Sequence, residues 1–196
     1  MTKKAGRGQV TRDLLLGIAT RLFTENGYEH TSIEAVLRES GVSRGALYHH
    51  FPGKEALFTA VLDTVYDRVG EHVAAATRGL TDPAAALREG CLAWIRLTAD
   101  PVVRQVLLID APAVLGWQRW RQLDDVRTLG TIKSAFRRAA AKGRIPPEQA
   151  DFFAHAVLAS MNEIAMLIAR ADDHRAVAVQ AEAAISDLLN RLLGSA

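Results

Sequence analysis

Residues 38–51 read RESGVSRGALYHHF. Ser40-Gly41-Val42 separates one short apolar-periodic segment from the next, and Ser43 caps the second. Residues 33–40 and 43–51 therefore read as two short helices joined by a tight turn, a helix-turn-helix arrangement. Leu47 and Phe51 lie four apart, on the face that anchors the second helix. Arg44, Gly45, Tyr48 and His49 then face outward. An exposed face carrying arginine, tyrosine and histidine, with no acid, suits a polyanion. Gly45 costs about 1 kcal/mol of helix propensity. That cost has a reason if another backbone must come close, as that of DNA would. A short helix is enough, because only its first turns enter a major groove.

The flanking residues fit the same geometry. Leu15, Ile18, Ala19, Leu22 and Phe23 form one stripe of a preceding helix that Asn26-Gly27 stops. Thr31-Ser32-Ile33-Glu34 reads as a capping box, with Thr31 as the cap. Thr31 and Ser32 at one helix N-terminus, and Lys54 at another, could each hold a phosphate. Each also has a plainer reading: Thr31 as a cap only, Tyr48 as a packing residue, Lys54 as a solvated charge. His49 and His50 do not make a metal chelate, because adjacent helical positions point about 100° apart, and no metal or other cofactor is expected.

Beyond Pro52-Gly53 the periodicity stays helical. A long helix is predicted over about 54–78, and Asp82-Pro83 and Asp100-Pro101 each carry a start signal. Further helices are predicted over about 118–142, from Pro146-Pro147 to about 171, and over about 173–193. Strand-like alternation and internal repeats are absent. The expected fold is all-α with about nine helices: an N-terminal three-helix helix-turn-helix domain over 1–55 and a C-terminal helical bundle over 56–196.

The totals bound the rest. The chain has 196 residues, 49% hydrophobic and 23% charged, and a formal net charge of only +2. That balance supports a packed core and does not by itself announce a nucleic-acid partner. The first twelve residues hold Lys3, Lys4, Arg7 and Arg12 without an acid, which suggests a basic arm. The single cysteine, Cys91, allows no internal disulfide and suits a reducing compartment. No stretch of 18 uncharged apolar residues occurs. The expected location is cytoplasmic.

From Thr11 to about Asp63 the sequence resembles the DNA-binding domain of the tetracycline-repressor (TetR) family. The carrying residues are Ala19-x-x-Leu22-Phe23, Gly27-Tyr28-x-x-Thr31-Ser32-Ile33, and Gly41-Val42-Ser43-x-Gly45-x-Leu47-Tyr48-x-His50-Phe51-x-x-Lys54. The resemblance implies an Ω-shaped homodimer whose N-terminal heads hold a pseudo-palindromic operator and whose C-terminal bodies hold a small effector. It implies that Thr31, Tyr48, His50 and Lys54 touch phosphates, and that Arg44, Gly45 and His49 lie nearest the bases. Ser32, Ser43 and Ala46 complete the expected DNA-binding set.

A switch of this design needs an effector site and a partner chain. Trp94, Trp117 and Trp120 all lie in the middle of the chain. With Leu97, Val103 and Leu107, and with Phe136, Met161 and Met166, they could line an apolar cavity, Asn162 and Glu163 supplying polar anchors. Tryptophan and methionine at helical spacing are, however, more often core than pocket. The expected effector is apolar or amphipathic. The last two helices carry more apolar surface than one stripe needs. Phe153, Val157, Ile164 and Ile168, with Ile185, Leu188, Leu189 and Leu192, are therefore expected at a helix–helix interface between two copies. The bland alternative places both helices centrally in a monomer.

Enzymatic readings find little support. No glutamate has histidine three residues later, as a di-iron bundle needs, and no nucleophile-elbow, P-loop or dinucleotide fingerprint appears. Cys91 sits on an apolar face and reads as a buried, inert thiol. Asp110 and Asp124-Asp125 read as solvated charge or helix ends. The expected function is a ligand-responsive DNA-binding regulator, most simply a repressor. An effector-independent architectural DNA-binding protein is the alternative.

Overall fold

Capping chemistry sets where the helices begin and end. In the computed structural model, which describes residues 2–194 with side chains from residue 8 on, every described element is helical. The basic side chains Lys3, Lys4 and Arg7 lie outside the described residues. Helix α1 (Thr2–His30) is broken at Gly27, whose φ of 75° and ψ of 169° no helix contains. Helix α2 (Ile33–Ser40) starts at Ser32 and ends at Gly41 in the left-handed region. Helix α3 (Arg44–His50) starts at Ser43. Helix α4 (Lys54–Ala76) follows Pro52-Gly53, and α5 (Pro83–Leu97) is capped by the Asp82 carboxylate accepting from Ala85 N–H. Helix α6 (101–115) is wound as a π-helix over Val103–Asp110. Helix α7 (117–141) has a shorter π-wound stretch at Asp125–Leu129. Helix α8 (147–170) opens with a 3₁₀ turn, and α9 (His174–Leu193) is capped by Asp173. These nine helices, counted among the described residues, make the all-α fold that the periodicity predicts.

The chain forms two compact units: Met1–Tyr66 with Pro101–Val114, and Asp67–Asp100 with Leu115–Ala196. The division is not the simple cut after residue 55. The first unit keeps α4 through Tyr66 and takes in nearly all of α6. Its core is Leu15, Ala19 and Phe23 from α1, Val36 from α2, Leu47 from α3 and Leu57, Phe58 and Val61 from α4. Phe58 meets Phe23 edge-on at 5.2 Å and Tyr28 at 5.1 Å, arrangements that aromatic quadrupoles favour. The π-wound part of α6 packs on α1 and buries Val103, Val106, Leu107 and Leu108.

The second unit is built from α5, α7, α8 and α9 around Leu87, Ile95, Phe136, Val157, Met161 and Ile185. Arg137 clamps Asp151 with two hydrogen bonds of 2.9 Å. Residues Pro147–Arg170 have the length and apolar composition of a membrane span, but half of that window is buried inside the protein, as for a core helix. Of the residues expected between two copies, Val157, Ile168, Ile185 and Leu189 are buried in this chain's own core, and Phe153, Ile164 and Leu192 pack against it. Only Leu188 is exposed. The exposed apolar residues on these helices are instead Phe152 and Leu167 on α8 and Val179 and Leu188 on α9. The apolar surplus is real, but periodicity alone does not say which of two apolar faces the chain covers for itself.

Candidate nucleic-acid interface

The helix-turn-helix is held by backbone hydrogen bonds that the sequence dictates. Gly41 adopts φ 65°, and its N–H reaches the Leu37 carbonyl at 3.1 Å; a side chain there would be strained. Ser40 Oγ accepts from Val42 N–H at 3.2 Å, closing the turn. Ser43 Oγ accepts from Ala46 N–H at 3.3 Å and starts α3. Leu47 and Phe51 are buried, so Ser43, Arg44, Gly45, Tyr48 and His49 form one exposed face, with Ala46 and His50 at its half-buried margin. A Cβ built on Gly45 would meet nothing within 4 Å. No packing inside the protein therefore requires glycine there.

The cap of α2 differs from the expected capping box. Ser32, not Thr31, is the N-cap, its Oγ accepting from Ala35 N–H at 3.1 Å. Thr31 is buried, and its hydroxyl donates to the carbonyls of Gly27 (2.8 Å) and Leu22 (3.1 Å). Its side chain secures the break at Gly27 and faces inward. Glu34 then falls one residue short of the box position. It accepts from the Arg44 guanidinium at 2.9 Å. A hydrogen bond to its own backbone N–H and then the Arg44 bond hold the Glu34 carboxyl below the ordinary range.

Lys54 is half-buried at the start of α4. Its ammonium sits 4.1 Å from the centre of the Tyr28 ring and donates to the Glu29 carbonyl at 3.3 Å. Arg12 lies over the Phe51 ring at 5.4 Å. Both cations are thereby placed around α3 by aromatic faces.

Two polar ties went unseen in the sequence. Asp110, expected as solvated charge or a helix end, is buried; it accepts from Tyr28 N–H at 2.8 Å and from Gln105 Nε2 at 3.0 Å. Burial pushes its carboxyl up. Gly27 is needed twice over, for its positive φ and because a Cβ would lie 3.3 Å from Gln105 Nε2. Asp124 accepts from Asn162 Nδ2 at 2.6 Å, and burial raises its carboxyl too. Nothing in the local sequence signals either tie, because the partners stand 82 and 38 residues apart.

The residues expected around an effector are divided between the units. Val103 and Leu107 are buried in the first; Trp120, Phe136, Met161, Asn162 and Met166 are buried in the second, with Trp94 and Leu97 half-buried there. Trp117 is exposed, its ring 4.9 Å from that of Trp120. Glu163 faces outward. Cys91 is buried, which pushes its thiol up to about 12.

Similarity to known proteins agrees with this architecture. The pattern described as "Bacterial regulatory proteins, tetR family" matches residues 15–61, and that of the "Tetracyclin repressor-like, C-terminal domain" matches residues 84–192. The chain belongs to the TetR family. It is 36% identical over 87 residues to the HTH-type transcriptional regulator LmrA of Bacillus subtilis, covering 44% of each chain. It is 31% identical over 107 residues to the HTH-type transcriptional regulator AcrR of Shigella flexneri, covering 54% of this chain and 50% of that one. The chain spans half or less of the length of these curated relatives. A TetR-family transcriptional regulator from Pectobacterium atrosepticum superposes with a TM-score of 0.83 at 27% identity, covering 100% of this chain and 99% of the other. One from Chloroflexus aurantiacus gives a TM-score of 0.76 at 24% identity, over 95% and 98%.

Proposed function

We propose that this protein is a ligand-responsive DNA-binding transcriptional regulator, most simply a repressor that acts as a homodimer on a pseudo-palindromic operator. The observation that carries the reading is the exposed face of α3. Arg44, Gly45, Tyr48 and His49 stand together there, on a helix fixed from behind by Leu47 and Phe51. Arg44 and His49 are the candidates for base edges, with Gly45 admitting the groove wall. Ser32, Ser43, Tyr48, His50 and Lys54 are the candidates for phosphates, using hydroxyls, helix N-termini and one ammonium. Thr31 supports Ser32 from inside.

Dimerisation through α8 and α9 is supported by Phe152, Leu167, Val179 and Leu188, apolar side chains that this chain leaves exposed. Two heads must then present their α3 helices about 34–36 Å apart to meet successive major grooves. An effector held by the second unit need favour the non-binding arrangement by only about 1–3 kcal/mol.

Selection of bound sequences from random duplex DNA tests the reading. The expected outcome is a two-fold-related consensus bound by a dimer. Sedimentation as a monomer that ignores duplex DNA at low salt would overturn it. Leu167→Glu with Val179→Glu is expected to yield monomers with a retained helical signal.

A further inference from the structure

The second unit holds two buried side-chain donors without an acceptor among the described residues, Arg88 Nε–H and the indole N–H of Trp120. Arg88 still reaches Asn190 with another guanidinium nitrogen, whereas the indole N–H is all that Trp120 has to bond with. Trp120 is 2% exposed, and its indole Nε1–H has no acceptor among the described residues. A buried donor left unmatched is costly, and native proteins rarely keep one without a purpose. One helical turn on, at the i+4 position of the same face, stands Asp124. Its carboxylate is bonded by neutral donors only: Asn162 Nδ2 at 2.6 Å and, at the long limit of 3.5 Å, the Thr128 hydroxyl. Beside Trp120, the ring of Trp117 is 4.9 Å away and more than half exposed. The cluster thus offers a donor without an acceptor, a carboxyl with lone pairs to spare, and an open aromatic face.

The chemistry of those groups selects among ligands. An indole N–H can only donate, so the ligand must bring an acceptor. A carboxylate can only accept, so the ligand must also bring a donor. An ammonium satisfies Asp124 and leaves Trp120 unmatched; a ketone or ether does the reverse. A hydroxyl does both with one atom. A flat apolar ring behind it would stack on Trp117.

We infer that Trp120, Asp124 and Asn162 form the polar end of the effector site, and that the effector is a neutral ring compound bearing a hydroxyl, of phenolic type. This inference rests on the reading of the second unit as the effector-binding half.

The test uses the full-length protein labelled with ¹⁵N at its three tryptophans, with phenol, anisole and benzyltrimethylammonium as probes. Trp120→Phe identifies the Trp120 Nε1–H resonance. Phenol is expected to bind saturably and to shift that resonance, with anisole at least about tenfold weaker and the ammonium weaker still. Trp120→Phe, which keeps a ring, and Asp124→Leu are each expected to weaken phenol about tenfold. If either variant fails to fold, the wild-type shift and the phenol-to-anisole ratio still decide. No saturable phenol binding, equal binding of phenol and anisole, a preference for the ammonium, or an unmoved Trp120 resonance would each overturn the inference. Duplex DNA binding, measured in parallel without probe, separates the two readings. DNA binding with no phenol response sinks only the ligand class; a phenol response without any DNA binding sinks only the regulator.

Discussion

Arg44, at the first turn of α3, is already engaged before any DNA arrives: its guanidinium donates to Glu34 of α2 at 2.9 Å, with both side chains more than half exposed. The pair orients the arginine and also neutralises it. On a duplex the guanidinium must leave this carboxylate or carry an anion toward the phosphates. Glu34→Gln keeps an acceptor for Arg44 and removes the charge. Operator binding at low salt is expected to tighten about two- to five-fold, the scale of an exposed ion pair, with a smaller gain at high salt. Titration of labelled operator at two ionic strengths checks this, and unchanged or weaker binding would refute it.

Gly45 separates stability from function. Because its Cβ position is open, Gly45→Ala is expected to stabilise the folded chain by about 0.5–1 kcal/mol. The same methyl would stand between α3 and the groove wall. Melting temperature should rise while operator affinity falls. A variant in which both rise would show that Gly45 faces no DNA.

Lys54 carries a different expectation from Arg44. Its ammonium is held by the Tyr28 ring and the Glu29 carbonyl, and the role proposed for it is to meet a phosphate and read no base. Lys54→Ala is expected to weaken all sequences alike and to lower the salt slope by about one unit. Arg44→Ala should instead relax preference at one or two positions, by about 1–3 kcal/mol for each bidentate base pairing it removes. Selection experiments on both variants distinguish the roles, and a Lys54→Ala protein that kept its affinity but lost discrimination would reverse them.

Asp110, on α6, is tied to α1 just past its break at Gly27. Asp110→Ala strands the Tyr28 N–H and is expected to cost about 1–3 kcal/mol in denaturant unfolding. The acidity has a definite sign. Burial raises the native carboxyl, helped by Glu29 and opposed by the Gln105 and Tyr28 hydrogen bonds and by Lys54. The native state therefore holds this proton more tightly than the unfolded chain does. Its contribution is most favourable below about pH 4 and is lost as pH rises through the raised native value. Asp110→Asn should lose less stability than wild type over that interval. Parallel pH profiles would contradict the assignment.

The head was legible because its signals are local. Gly41, Ser43 and the Leu47–Phe51 spacing specify turn, cap and anchor within a dozen residues. The choice between adjacent hydroxyls was not legible: Thr31 and Ser32 have the same capping chemistry, and only the buried carbonyls of Leu22 and Gly27 draw Thr31 inward. The π-winding at 103–110 was invisible for a related reason, since apolar spacing over two turns scarcely distinguishes it from an α-helix. The candidate interface residues Val157, Ile168, Ile185 and Leu189 went to the core because α8 and α9 are apolar on two sides. Asp110 and Asp124 read as solvated charge or helix ends, and the closer of each one's donors, Tyr28 N–H and Asn162 Nδ2, comes from far along the chain.

The first unit's dependence on 101–114 constrains how such heads can be exchanged between relatives. A single recombination event that swapped the amino-terminal segment would import a new backbone where Tyr28 stands and leave the old Asp110 and Gln105 to receive it. Working hybrids therefore require either two crossovers or a recipient that already carries a matching carboxylate and amide at those positions.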